Sequence, residues 1–514
     1  MPKLNLDINQ IDRVRQTAKD IADDIQKFIN KYSTISVERT VLRLFGVDGV
    51  DKKEAPLPNK IVEIFETKYG LKGGVSRLFS KAMLCSKKDV QQTAELIDQG
   101  KIDLEKKKFS INDILQKEKE LTKKAIEAMD QSKKRKVQKQ KKFKIPQQPW
   151  RYLIVATGNV YEDRTQAESA VFSGADIIAV IRSTAQSLLD YVPFGATTEG
   201  YAGTYATQEN FKIMRKALDK ASEKAGRYIR LVNYSSGLCM AEIVACAVFE
   251  DLDILLNDSM YGILFRDINM KRTFIDQYFS RLICARADIM INTGEDNYLT
   301  TADAIEQAHT VTASQLINEA LGKNSNLKDE QLGLGHAFEI NPEIENAFLY
   351  ELAHALLVRQ LFPKAPLKFM PPTKYKSTDI FYSHCLDTMF NLASVMTKQG
   401  IHLGGILTEA ILTPLMHDRY QSLCSTNYVF NIARSLGDEI EFKKGGFIEK
   451  RAQTVLDETE QFLNKLRKIG LMESISQGNF ANISRKPDLG KGIEGVFEKA
   501  GDYSNPVMDE LEKS

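Results

Sequence analysis

The chain has little of what would staple it, export it or hold it in a bilayer. Six cysteines occur in 514 residues, Cys85, Cys239, Cys246, Cys284, Cys385 and Cys424, and none stands in CxxC spacing. That excludes a disulfide framework or a zinc site of adjacent thiols and suits a reducing cytoplasm. The stretch MPKLNLDINQ has no apolar signal core, and no uninterrupted apolar run approaches the ~20 residues of a membrane helix. An excess of one charge is also missing: 70 Lys and Arg face 68 Asp and Glu, a formal net charge of +2. Nothing global therefore steers the chain toward nucleic acid or an anionic membrane, and any charged partner must be held locally. No GxGxxG loop follows the first strand-like run, which weakens a dinucleotide-binding fold. The sequence reads as soluble and cytoplasmic, with a hydrophobic fraction of 43% that is ample for a large core.

What is present falls into successive textures. Residues 1–131 read as a helical accessory region, because Ile8, Ile11, Val14, Ala18, Ile21, Ile25, Phe28 and Ile29 recur at steps of three and four. Residues 132–150 carry the run KKRKVQKQKKFK, Lys133 to Lys144. Closely spaced cations could form a nuclear-import or nucleic-acid patch, but nothing aromatic is interleaved, and the run reads as a solvated helix end and linker. Residues 151–414 alternate strands with helices. The clear strands are YLIVATG, ADIIAVI, YIRLVNY, DILLNDS and ADIMINTG, and weaker ones at GHAFEI, PLKFM and IHLGGIL bring the number to eight. They are short continuous apolar runs, as parallel strands covered on both faces require. The fold class expected is α/β, a (β/α)8 TIM-type barrel with helical extensions at both ends, the rival being an open doubly wound sheet. Thr300 or Thr301 is placed to cap the helix that follows the fifth strand. Residues 415–514 read as helices ending in an irregular surface tail from Arg485.

In a parallel barrel the active site forms where strands release their carboxyl ends. The residues there are polar and small, and Arg182 with Ser183, Thr184 and Ser187 offers a guanidinium fork and hydroxyls suited to a phosphate. Pairing of Arg182 with a strand-end acid such as Asp258 is equally open from spacing. Ser236, before Gly237, reads as a second phosphate donor or a helix cap. Tyr261 offers a face for a planar cofactor or packs in a wall. Asp296 could hold a protonated ring atom or serve as an ordinary loop aspartate.

The stretches VATGNVYED, VIRSTAQSLLDYVPFGATTEG, NYSSGLCM, YGILFRDINM, INTGEDNYLTTADA and APLKFMPPTK, with VERTVLRLFGVDGVD near the N-terminus, closely resemble the large (alpha) subunits of lysine 5,6-aminomutases along essentially the whole chain. The resemblance implies a catalytic barrel subunit dependent on pyridoxal 5′-phosphate and adenosylcobalamin. Its reaction would be a radical 1,2-migration of the terminal amino group of D-lysine or β-lysine from C6 to C5, in lysine fermentation. It further implies a smaller beta subunit that carries the cobalamin-binding domain and the Schiff-base lysine, in an α2β2 assembly. Carried over by residue, it puts pyridoxal-phosphate contacts at Arg182, Ser183, Thr184, Ala185, Gln186, Ser187, Ser236, Tyr261, Arg266 and Asp296. Tyr261 and Asp296 are the catalytic candidates, and Lys368 with Asn297 the substrate-carboxylate candidates.

Base-off cobalamin binding in such enzymes uses a DxHxxG motif. Here GIHLGG has Gly400 in place of the aspartate, so His402 is expected in the barrel wall rather than on cobalt. His309, His336, His354, His384 and His417 lack metal-ligand spacing and read as structural. Two other readings stand beside the lysine one. An ornithine or other diamine aminomutase differs by one methylene in substrate, and a non-catalytic or nucleic-acid-associated barrel rests on the basic run alone.

Overall fold

A computed structural model describes residues 4–513 except 184, 202, 235, 236 and 259, with side chains left aside at 182, 183 and 300. Eight strand positions form its centre: β1 (Trp150–Ile154), β2 (Ile177–Ser183), β3 (Arg230–Asn233), β4 (Ile254–Leu256), β5 (Met290–Asn292), β6 in two pieces (Leu332–Gly333 and Gly335–Ala337), β7 (Lys368–Met370) and β8 (Ile401–Leu403). Neighbours pair in parallel, and β8 returns to β1 through Ile401 opposite Trp150. β5 holds the first piece of β6 and β7 the second, so the ring passes through the break at Leu334. This is the (β/α)8 architecture expected from the apolar runs.

Each strand buries both faces. Trp150, Tyr152, Ile177, Ala179, Val232, Ile254, Ile401 and Leu403 fill the barrel interior, while the alternate residues join the larger core beneath the surrounding helices. That two-sided burial explains why the strands read as continuous rather than alternating runs.

The N-terminal helix Ile8–Ile29 starts at Asp7, whose carboxylate accepts from the Asn9 amide. It buries Val14, Ala18, Ile21, Ile25 and Ile29 as expected, but Ile8 at its open first turn is exposed. The cap expected at Thr300 or Thr301 does not form. A short helix Tyr298–Thr301 ends there, and the main helix begins separately at Ala308. The tail from Arg485 is not a surface extension. Val496–Glu498 pairs antiparallel with Tyr32–Thr34, and the helix Pro506–Glu512 buries Val507, Met508 and Leu511. The six cysteines are unpaired, and no helix among the described residues is long and apolar enough to cross a membrane.

Most of the basic run is the helix end expected of it. Lys133 to Lys141 close the helix Ile111–Lys141, entered through a Ser110/Asp113 capping box, and Lys142 to Lys144 follow it. Three of the run's cations reach partners on the barrel: Arg135 and Lys139 meet Asp251, Lys139 also meets Asp219, and Lys136 lies deepest. Lys136 is buried and donates to the carbonyls of Leu252 (3.1 Å), Ala287 (3.0 Å) and Asp288 (2.7 Å), locking the helix to the amino end of the barrel. Lys136→Met strands three buried carbonyls and is expected to cost about 2–4 kcal/mol, whereas the exposed Lys134→Met stays within about 0.5 kcal/mol. Urea unfolding followed through Trp150, the only tryptophan, measures the difference, and equal midpoints would refute the clamp.

Candidate functional site

The carboxyl ends of β2 to β7 converge on one mouth. After β2, the turn Gln186–Leu188 is held by the Gln186 side chain, which donates to the Ala206 carbonyl (2.9 Å) and accepts from the Ala206 amide (2.6 Å). Gln186 thus braces the loop, with its amide turned toward the returning strand Gly203–Thr204 that pairs antiparallel with the end of β2. Gly237, beyond β3, adopts φ +148°, and a Cβ there would lie 2.4 Å from the Ser187 Cα. Only glycine allows the β3 loop this close to the β2 loop. Thr184 and Ser236, and the side chains of Arg182 and Ser183, lie outside the described residues.

The β4 and β5 loops are joined by Asp258. One carboxylate oxygen accepts from the amides of Met260 (2.7 Å) and Tyr261 (3.0 Å), and the other from Gly294 (2.6 Å). These bonds engage both oxygens of the acid weighed as a partner for Arg182, whose own side chain lies outside the described residues. They also start the short helix Tyr261–Arg266, along which Arg266 folds back to donate to the Tyr261 hydroxyl at 3.1 Å. Both side chains are half-buried, and Arg266 has no carboxylate partner among the described residues. Tyr261 packs at 5.4 Å from Phe265, its centroid 5.6 Å from the Arg266 guanidinium.

At the end of β5, Gly294 leads into the turn Glu295–Asn297. Asp296 Oδ1 reaches across β6 to Lys368 Nζ on β7, 3.1 Å away, with both side chains wholly buried. At this distance the ammonium and the carboxylate make a buried, charge-assisted contact. Lys368 Nζ also stands 5.3 Å from the Tyr234 ring, and Asn297 donates to Asp296 Oδ2 at 3.2 Å. The crossing depends on Gly335 in β6, where a Cβ would fall 2.5 Å from Asp296 Oδ1. Burial pulls the ammonium of Lys368 down, but Asp296 and Tyr234 outweigh it and hold the lysine protonated. Burial pushes the Asp296 carboxyl up, against Lys368, and the pair keeps its proton on the lysine.

Asp296, Asn297, Lys368 and Tyr234 therefore come together, with Tyr261 and Arg266 tied to them through Asp258 and Gly294. Glu295 carries no role in the sequence reading, yet it is fully buried, accepting from Asn318 (2.6 Å) and the Gly335 amide (3.2 Å). Burial, then the charge of Asp258, pushes its carboxyl up to about 8. The only sequence signal is its place beside Asp296. His402 does not fit a metal: its ring lies buried between Phe390 (4.4 Å) and Phe430 (5.0 Å). Burial lowers its pKa to about 3.

Residues 4–510 match the family model described as the D-lysine 5,6-aminomutase TIM-barrel domain of alpha subunit. The chain is 50% identical over 508 residues to the lysine 5,6-aminomutase alpha subunit of Acetoanaerobium sticklandii, covering 99% of this chain and 98% of that one. It is 51% identical over 510 residues to the alpha subunit of the same name from Fusobacterium nucleatum, with 99% and 98% covered. A more distant relative, the D-ornithine 4,5-aminomutase subunit beta of A. sticklandii, is 26% identical over 367 residues, 69% of this chain and 49% of that one. With a barrel, a polar mouth and matches that span nearly its whole length, the chain belongs to the lysine 5,6-aminomutase alpha-subunit family of isomerases.

Proposed function

We propose that this chain is the barrel subunit of an aminomutase that moves the terminal amino group of D-lysine or β-lysine from C6 to C5. In this reading it works with a smaller beta subunit in an α2β2 assembly, and pyridoxal phosphate binds at the barrel mouth. The observation that carries the reading is the buried Lys368–Asp296 ion pair at the barrel mouth, beside Tyr234. Asn292, at the end of β5, adds two buried amide atoms without partners among the described residues. Buried polar atoms are rarely left so, and a ligand with polar groups would satisfy them.

The residues fit the cofactor. Arg266 is a cation with no carboxylate partner among the described residues, and the close approach of Gly237 to Ser187 brings together the two loops that would face the phosphate. Arg182, Ser183, Thr184, Ala185, Ser187, Ser236 and Arg266 would hold the phosphate end, with Gln186 bracing the loop beneath. Tyr261 would lie against the ring. When bound, pyridoxal phosphate supplies an electron-accepting ring for the migrating nitrogen, and adenosylcobalamin on the partner supplies the radical initiator. Asp296 orients and compensates Lys368, and Lys368 with Asn297 attracts the substrate carboxylate. The enclosing strands keep water from these charges, which strengthens their interactions. His402, packed in the wall, leaves cobalt ligation to the beta subunit.

Reconstitution of the chain with its beta subunit, both cofactors, and D-lysine, β-lysine or D-ornithine in turn tests the reading by product analysis. Migration on a lysine is expected, selective turnover of D-ornithine would transfer the assignment to the shorter diamine, and no turnover with any diamine would remove it. In the same assay, Asp296→Asn leaves the Lys368 cation uncompensated and is expected to lower kcat about 100-fold or more. Gly335→Ala displaces Asp296 without touching its chemistry and should cost at least about tenfold. Wild-type rates in both variants would disprove the role of the pair.

Glu295 gives a pH dependence of known sign. Its folded pKa is raised from 4.5 to about 8, so above its ordinary value the unfolded chain releases the proton while the native chain keeps it. Stability from this group is fully present below the ordinary value and is lost as pH rises toward about 8. Glu295→Gln removes that loss. Urea midpoints of wild type should fall relative to the variant across this window, and parallel profiles would contradict a protonated Glu295.

A further inference from the structure

Outside the mouth, an extended charge network surrounds the buried Arg272, on the helix Met270–Ala287. Its guanidinium donates to both Asp190 oxygens, Nη2 to Oδ1 at 2.5 Å and Nη1 to Oδ2 at 3.1 Å. Nη2 also donates to the Leu238 carbonyl at 2.9 Å, and Nε to Asp276 at 3.4 Å. Asp190 lies three residues beyond Ser187 in the β2 loop, and Leu238 directly follows Gly237 in the β3 loop. A single buried arginine thus fastens the two loops that close on each other at Gly237 and Ser187. Cys239 adds a second link, its thiol facing the Tyr191 carbonyl at 3.5 Å.

The N-terminal region and the tail converge on the same point. Arg39 Nη1 donates to the Asp190 carbonyl (2.9 Å) and carboxylate (2.8 Å), and Asn59 donates to the same carbonyl at 3.1 Å. The Gly492 carbonyl meets Arg272 Nη1 at 3.4 Å. A Cβ at Gly492 would fall 2.7 Å from that nitrogen and one at Gly495 3.0 Å from it.

We propose that Arg272 and Asp190 are positioning residues that set the spacing of the β2 and β3 loops around the cofactor phosphate. This inference rests on the reading that those loops hold pyridoxal phosphate. Neither residue is placed to touch the ligand. An ion pair that desolvates its arginine is a weak way to gain stability, because desolvation offsets much of its attraction. It does impose geometry, since moving either loop breaks a charged hydrogen bond to Arg272, whose side chain is wholly buried. The bidentate fork fixes Asp190, and the spare hydrogen on Nη2 fixes Leu238 relative to it.

The test compares binding of pyridoxal 5′-phosphate and pyridoxal, which lacks the phosphate, to the complex of this chain with its beta subunit, by absorbance and fluorescence titration. Asp190→Asn and Arg272→Lys are expected to weaken pyridoxal 5′-phosphate about 10- to 100-fold, while pyridoxal shifts by less than about threefold because it makes no phosphate contact. Equal weakening of both ligands, or unchanged phosphate-ester binding in a folded variant, overturns the positioning role while leaving the cofactor reading intact. Failure of the wild-type complex to bind pyridoxal 5′-phosphate overturns the cofactor reading and this inference with it. Should both variants fail to fold, Asn59→Ala, which removes one bond to the Asp190 carbonyl, should still weaken the phosphate ester selectively by about two- to fivefold; an unchanged ratio of the two ligands overturns the proposal.

Discussion

Lys368 and Asp296 face each other where no water reaches either charge, and much of the mouth follows from what such a pair demands. Moving two ions out of water costs several kcal/mol each, and their attraction offsets this only when they are held close. The two come from β7 and from the loop after β5, with β6 between them. The crossing works because β6 is broken at Leu334 and resumes at Gly335, where a side chain would strike the carboxylate. A sheet position that usually rewards a large apolar residue is therefore held by the smallest.

The same pair fixes neighbours that it does not touch. Asp296 follows Gly294 and Glu295 in a tight turn, and the Gly294 amide is bound by Asp258. Asp258 also caps the amides of Met260 and Tyr261. The ring of Tyr261 and the ion pair are thereby referenced to one carboxylate, and neither loop shifts without a change in the other. Interdependence of this kind lets a site on loops approach the precision of one on strands.

The strand centres were legible because parallel strands buried on both faces leave continuous apolar runs, and the barrel rule then picked out the residues just beyond them. The strand ends were less legible: apolar residues continue past hydrogen bonding, so the YLIVATG run outlasts β1, which ends at Ile154 while Val155 stays buried. The basic run was legible as a helix end, but not the docking of Arg135, Lys136 and Lys139, because their partners, Asp219, Asp251 and three carbonyls, lie far along the chain. A local pattern of lysines cannot reveal whether the cations face water or a helix terminus. The tail misled for the same reason, as its glycines are shaped by Arg272 more than 200 residues away. Within the site, Asp296 and Lys368 could be named separately, but their pairing across an intervening strand is a property of barrel closure, and Glu295 gave no signal apart from its neighbour.

Buried charge is distributed unevenly along the barrel axis. Near the amino ends of the strands Arg215 spends its donors on Asp219, Asp253 and the Ile229 carbonyl. Arg151 is shared between Asp176 and Asn427, and Lys136 fills its donors with three carbonyls. Arg230 departs from this, stacked 3.8 Å over Trp150 with one guanidinium nitrogen unpaired. At the carboxyl ends the Lys368–Asp296 ion pair lies beside Asn292, whose two amide atoms lack hydrogen bonds to the described residues. If stability alone had shaped this position, Asn292 would be satisfied or replaced by an apolar residue, since each such atom costs about 1–3 kcal/mol where it stands. Its place at the end where barrels hold chemistry argues that the cost is tolerated for a polar ligand.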